Sequence, residues 1–139
     1  MNKLHASIRR QIKSFVRDRL GCNCPDAVFE DIRVANHSGL FTPDTLIYDI
    51  GGRLFVAILV PADWRDIETG LGDLVDAGIQ YRDQHAYNRF RLVIATGDDA
   101  AIDVLQSRFS ALDLGDDRVH LHVITPEQLP FDVAAESIR

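Results

Sequence analysis

Apolar residues recur at three- and four-residue spacing through Leu4, Ile8, Ile12, Phe15 with Val16, and Leu20. That period predicts an amphipathic helix over about residues 2 to 20, with its basic residues mostly on the other face. Gly21 is a plausible stop, and Pro25 prevents continuation. From Val28 to Ala35 the period changes. Ile32 and Val34 alternate with Asp31 and Arg33, which predicts a half-buried strand. A turn follows at 36–39, and a second strand is expected over 44–49. It places Thr45, Ile47 and Asp49 on one face and Leu46 and Tyr48 on the other. Gly51-Gly52 is a hairpin turn signal, because glycine accepts the positive φ of primed turns.

The next stretch, Leu54 to Val60, is apolar on both faces and belongs in the middle of a sheet covered on both sides. Pro61 ends it, Asp63 is a candidate N-cap, and a helix is expected to about Tyr87. Its inner face reads Ile67, Leu71, Leu74, Val75, Gly78 and Ile79, and Gly70, Gly72 and Gly78 suggest close packing against the sheet, with flexibility as the alternative. A strand is predicted over 90–95, and then a helix over about 99–112 with Ala101, Leu105, Phe109 and Leu112 inward. A strand over 119–124 and a short helical turn opened by Thr125-Pro126 complete the pattern. The order is helix, three strands, helix, strand, helix, strand, which implies a mixed sheet with helices on both faces.

With 139 residues, 46% hydrophobic and 26% charged, the chain is expected to form a single domain over 1–139 with a substantial core. Its longest apolar run is too short to span a membrane. No signal-peptide pattern opens it, so a cytoplasmic location is the expectation. Cys22 and Cys24 stand one residue apart, too close for an unstrained disulfide, and no second ligand pair with zinc spacing accompanies them. The net charge of −6 is uneven, because the first twenty residues carry +5 and leave −11 on the rest. An acidic body disfavours extended nucleic-acid contact. Arg9, Arg10, Lys13 and Arg17 on the first helix are nonetheless candidate phosphate contacts, or an assembly surface for an acidic partner. A solvated helix face is the alternative.

The segment from Thr42-Pro43-Asp44 through the Gly51-Gly52 turn to Val56, within this element order, resembles the PD-(D/E)XK nuclease superfamily. The likeness is to the nuclease domain of restriction enzymes and covers about residues 1 to 96. It implies a restriction-endonuclease-like αβββαβ core with a C-terminal αβ extension. In that family two carboxylates at strand ends hold Mg²⁺, and a lysine two residues past the second helps activate water. By the resemblance Asp44 matches the first carboxylate, while the acid and lysine positions fall on Ile58 and Val60. Neither side chain binds metal or carries charge.

Other groups are candidate replacements. Asp63-Trp64-Arg65 matches the spaced pattern but lies beyond Pro61, and Glu30 and Asp49 are further candidate acids for a site with Asp44. Asp18 is the acid of the first helix, and Gln80, Tyr81 and Gln84 lie near where the family often places a glutamine. His120 and His122 share a strand face at the spacing of a metal pair or proton relay, and read as surface or satisfied histidines. Three readings stay open. One is a catalytically inactive nuclease-fold domain acting as a binding or assembly module, linked to nucleic-acid processing or defence, without a cofactor. Another is an active Mg²⁺-dependent nuclease with a rearranged site around Asp44. The third is an unrelated α/β ligand-binding or regulatory domain. A nucleic acid, a protein partner or a homodimer are the candidate partners, and no membrane contact is expected.

Overall fold

The structure is a computed structural model that describes residues 2–3, 6–21, 25–36 and 45–129. Its centre is a six-stranded mixed sheet whose spatial order follows the chain. The strands are β1 (Asn2–Lys3), β2 (Ile32–Asn36), β3 (Leu46–Ile50), β4 (Leu54–Leu59), β5 (Arg89–Ala95) and β6 (Val119–Ile124). The first four pair antiparallel, and β4, β5 and β6 run parallel. Parallel strands need crossovers. The first is made by α2 (Arg65–Glu68) and α3 (Leu71–Gln84), the second by α4 (Ala100–Ala111). Because the strand order keeps advancing in one direction, both crossovers cover the same face.

That face holds one apolar cluster, with Phe55, Ala57 and Leu59 of β4 against Ile67, Leu71, Val75, Ala101 and Leu105. The other face is covered by α1 (Ala6–Ser14) and the helical turn after it. There Leu54, Val56 and Ile58 meet Ile12, Phe15, Val16 and Leu20. All six residues of β4 are buried, as its two-sided apolar pattern requires. The hairpin between β3 and β4 turns at Gly51 and Gly52, with φ of 61° and 70°. Arg53 N–H closes it on the Ile50 carbonyl at 3.1 Å.

Four sequence expectations shift. The first helix begins at Ala6, since Asn2 and Lys3 pair with Val34 and Arg33 as an edge strand. Phe15–Arg19 then widens into a π-helical turn, with Leu20 N–H donating to Phe15 O at 3.2 Å. The widened turn lets the adjacent Phe15 and Val16 both face the core. Residues Asp26–Glu30 form a 3-10 helix after Pro25, so the strand predicted from 28 starts at Ile32. There Phe29 is buried by helical placement rather than by strand alternation. The helix predicted from 63 to 87 breaks at Thr69-Gly70 into α2 and α3. Asp63 still caps the first turn, accepting from Arg65 N–H at 3.0 Å, although Trp64 occupies the N-cap position.

Candidate functional site

Asp44 lies outside the described residues, as do Cys22 and Cys24. The two positions that the nuclease resemblance pairs with it are described. Ile58 is 1% exposed, opposite Leu46, inside the cluster with Ile12, Val56 and Val93. Val60 is half-buried and packs on the same cluster. Aliphatic side chains offer no oxygen to Mg²⁺, and these two sit among other aliphatic ones. The replacements do not gather around the start of β3. Asp49 stands at the hairpin end, where its carboxylate accepts from Gly52 N–H at 2.8 Å. It also holds the Tyr87 hydroxyl protonated, second to burial, which is the larger cause. Asp63 is engaged with the first turn of α2, and Trp64 is buried with its ring N–H donating to Asp98 at 2.8 Å. Gln80 is exposed and donates to Asp76, Gln84 is exposed, Tyr81 is buried, and Asp18 and Glu30 are exposed. Among the described residues no group of three His, Cys, Asp or Glu converges on a metal position.

The basic face of α1 turns toward the 3-10 helix. Lys13 and Arg17 both pair with Asp26, at 3.0 and 2.7 Å, and both lie over the Phe29 ring. These hydrogen bonds pull the Asp26 carboxyl below its usual pKa, the bond from Lys13 most and that from Arg17 next. Arg9 donates to the Glu30 carbonyl at 2.7 Å, and Arg10 is exposed. Arg9, Arg10 and Lys13 line a shallow groove of about 230 Å³ with Asp26, Phe29 and Glu30. A phosphate there would compete with Asp26 for Lys13.

A second polar constellation interrupts the α1-side face of the sheet. Residues alternate along β5, so Arg89 and Arg91 share the face of Val93 and Ala95. On β6 His120 is Arg91's register partner, and His122 is one step along the same face. Arg91 is 6% exposed. Its Nη1 donates to the Leu20 carbonyl at 2.6 Å and lies 3.0 Å from His122 Nε2. A guanidinium has no acceptor. His122 Nε2 must therefore accept, which puts the imidazole proton on Nδ1. Burial, then Arg91, then His120 push the His122 pKa down to about 4. His120 is also lowered, first by burial and then by Arg91 and Arg89, against smaller opposing pulls from Asp117 and Asp116. Both rings are therefore neutral at neutral pH. Arg91 Nε and His120 Nδ1 are buried and have no hydrogen-bond partner among the described residues. The histidine spacing was visible in the sequence. Arg91 was not singled out, because an arginine inside a strand pattern reads as solvent-facing until its neighbours are known. At His120 the ring stays partly exposed while its Nδ1 is buried by the sheet.

No family model, curated protein or solved structure matches this chain.

Proposed function

We propose that this chain is a restriction-endonuclease-like domain that does not cleave nucleic acid and works as a binding or assembly module. The observation that carries the reading is the burial of Ile58 in the aliphatic cluster with Val60 packed beside it. In the resembling family those two positions would carry the second carboxylate and the lysine. Support for the fold assignment comes from the sequence of elements. A helix precedes an antiparallel three-strand meander, and a crossover helix then leads to a parallel strand. Fold alone sets no activity, so the reading rests on the site. β4 itself offers a divalent cation no carboxylate oxygen, one of the two that the resembling family uses. A protein partner suits the basic helix better than a phosphate backbone does, because Asp26 already pairs with Lys13 and Arg17.

The test is incubation of purified protein with single-stranded, duplex and branched DNA or RNA plus Mg²⁺ or Mn²⁺, beside an Asp44→Ala variant. No cleavage by either protein is the expected result. Cleavage by the parent that Asp44→Ala abolishes would overturn the reading in favour of a rearranged nuclease. Replacing Arg9, Arg10 and Lys13 with Glu separates the partner classes. A changed oligomeric state or lost protein capture marks an assembly surface, whereas a lost, salt-dependent nucleic-acid affinity marks phosphate contacts.

A further inference from the structure

Two buried arginines in this chain are treated differently. Arg82 is 2% exposed, and its guanidinium pairs with Asp83 at 3.0 Å and Asp116 at 2.8 Å. Burial opposes that charge, and the two carboxylates outweigh it, so the Arg82 pKa is raised. Arg91 is equally enclosed, yet no described carboxylate lies within ion-pair distance. Its protein partners are a carbonyl and a neutral imidazole nitrogen, both on Nη1. Burial, and then Arg89, lower its pKa, the opposite direction to Arg82. A buried cation without a compensating anion is costly.

The geometry around Arg91 is that of a receptor for the missing charge. The Nε edge of a guanidinium matches the two oxygens of a carboxylate or phosphate. On Arg91 this is the edge whose Nε has no partner among the described residues, where the contacts fall on Nη1. Beside it on β6, His120 has a buried Nδ1 with no described partner, and adjacent parallel strands bring such side chains roughly 5 Å apart. A neutral imidazole can carry its proton on that nitrogen and donate it. His120 and His122 are only partly buried, so this end of the sheet face reaches the surface at their rings. The Leu20 carbonyl that fixes the far side of the guanidinium ends the π-helical turn, a local widening of a kind often found at functional sites.

We infer that Arg91 and His120 form a binding site for a single oxyanion, the carboxylate or phosphate group of a small ligand, with Arg91 as the fork, His120 as a second donor and His122 as the positioning residue. The inference is independent of the nuclease reading, because it uses β5 and β6 rather than the start of β3. Positioning by His122 follows from its Nε2, which holds Nη1 and so sets the rotation of the fork.

Isotope-labelled full-length protein should be titrated with inorganic phosphate and, separately, with acetate, against sodium chloride at matched ionic strength. The His120 and His122 ring resonances and the thermal midpoint are followed together. One of the two oxyanions is expected to shift both rings, raise the midpoint and raise the apparent His122 pKa, because a bound anion favours the imidazolium. The stronger responder identifies the ligand group as phosphate or carboxylate. His120→Ala is expected to weaken that response about tenfold, the loss of one hydrogen bond to a charged group. Arg91→Lys keeps the charge and removes the fork, and is expected to weaken it further. Should Arg91→Lys fail to fold, His120→Ala carries the test alone. A response no larger than that to chloride leaves water as the partner of these atoms and overturns the inference. An anion response that survives His120→Ala and Arg91→Lys unchanged places the anion elsewhere and overturns it too.

Discussion

At the scale of single residues, the sharpest expectation concerns His122. Its ordinary pKa of 6.5 falls to about 4 in the folded chain, first through burial and then through Arg91 and His120. The unfolded chain therefore binds a proton that the native chain refuses. The neutral ring's contribution is fully present above about pH 6.5, and it is lost as the pH falls toward 4. The size of the loss is on the order of 3 kcal/mol. Urea unfolding at several pH values between 7.5 and 4 should show that decline, and a His122→Gln variant should flatten it. Ile58 gives a second residue-level expectation. It is enclosed on the α1 side of β4, so Ile58→Ala should cost about 2–5 kcal/mol by the same measurement. A solvent-lined position there would lose far less. That outcome would remove the observation on which the non-catalytic reading stands.

Among the elements, α3 shows how similar-looking residues divide by their surroundings. Gly70, Gly72 and Gly78 look alike in the sequence as close-packing positions. In the fold a Cβ on Gly78 would fall within the ring of Phe90, whereas one on Gly70 would meet nothing within 4 Å. One on Gly72 would come to 3.3 Å from Leu112 Cδ2. Gly78→Ala is therefore expected to destabilise by about 1–3 kcal/mol through overpacking. Gly70→Ala should stay within about 0.5 kcal/mol, and denaturant midpoints of the two variants check the contrast. The β3–β4 hairpin makes a matching demand. Gly51 combines a φ of 61° with a Cβ position 2.6 Å from the Val28 carbonyl oxygen. Its N–H also donates to Asp31 O at 2.9 Å, so the turn is locked to the segment leading into β2. Gly51→Ala meets both the backbone strain and the contact, and should lower the thermal midpoint more than Gly52→Ala, whose Cβ would meet nothing within 4 Å.

At the level of the whole molecule, the Arg82 network ties distant parts of the chain. It joins the end of α3 to the loop that enters β6, through Asp83 and Asp116. Asp116 is held below its usual pKa, chiefly by its hydrogen bond from Arg82. Its contribution is therefore present above the ordinary carboxylate range and is lost as the pH falls through its lowered folded value. Asp116→Asn should cost about 1–3 kcal/mol near neutral pH by leaving Arg82 undercompensated. It should also remove that acid dependence, as calorimetry across pH will show. The same network explains why β6 docks where it does. Arg118 N–H donates to Asp116 and the Arg118 carbonyl accepts from Phe90 N–H, so the turn before β6 is set against β5.

Much of this architecture was legible from hydrophobic period and turn chemistry, because those are local signals. The two-sided apolar run at Leu54 to Leu59, the Gly51-Gly52 turn, the strand at Val119–Ile124 and the inward residues of α4 were all readable, since each depends on neighbours within one element. What depends on contacts far along the chain was not. The edge pairing of residues 2–3 needs β2 as a partner, and the π-helical turn is the fold's way of burying Phe15 and Val16 together. The pairing of Lys13 and Arg17 needs Asp26 brought back alongside α1. Most of all, the order of residues alone settles that Ile58 on β4 and Val60 just after it carry neither acid nor lysine, because side-chain identity is written in the chain. That Arg91 is a buried cation beside His120 and His122 comes from the fold. Burial of a charge is a property of what surrounds it, and its surroundings here come from strands and a helix end up to 71 residues apart.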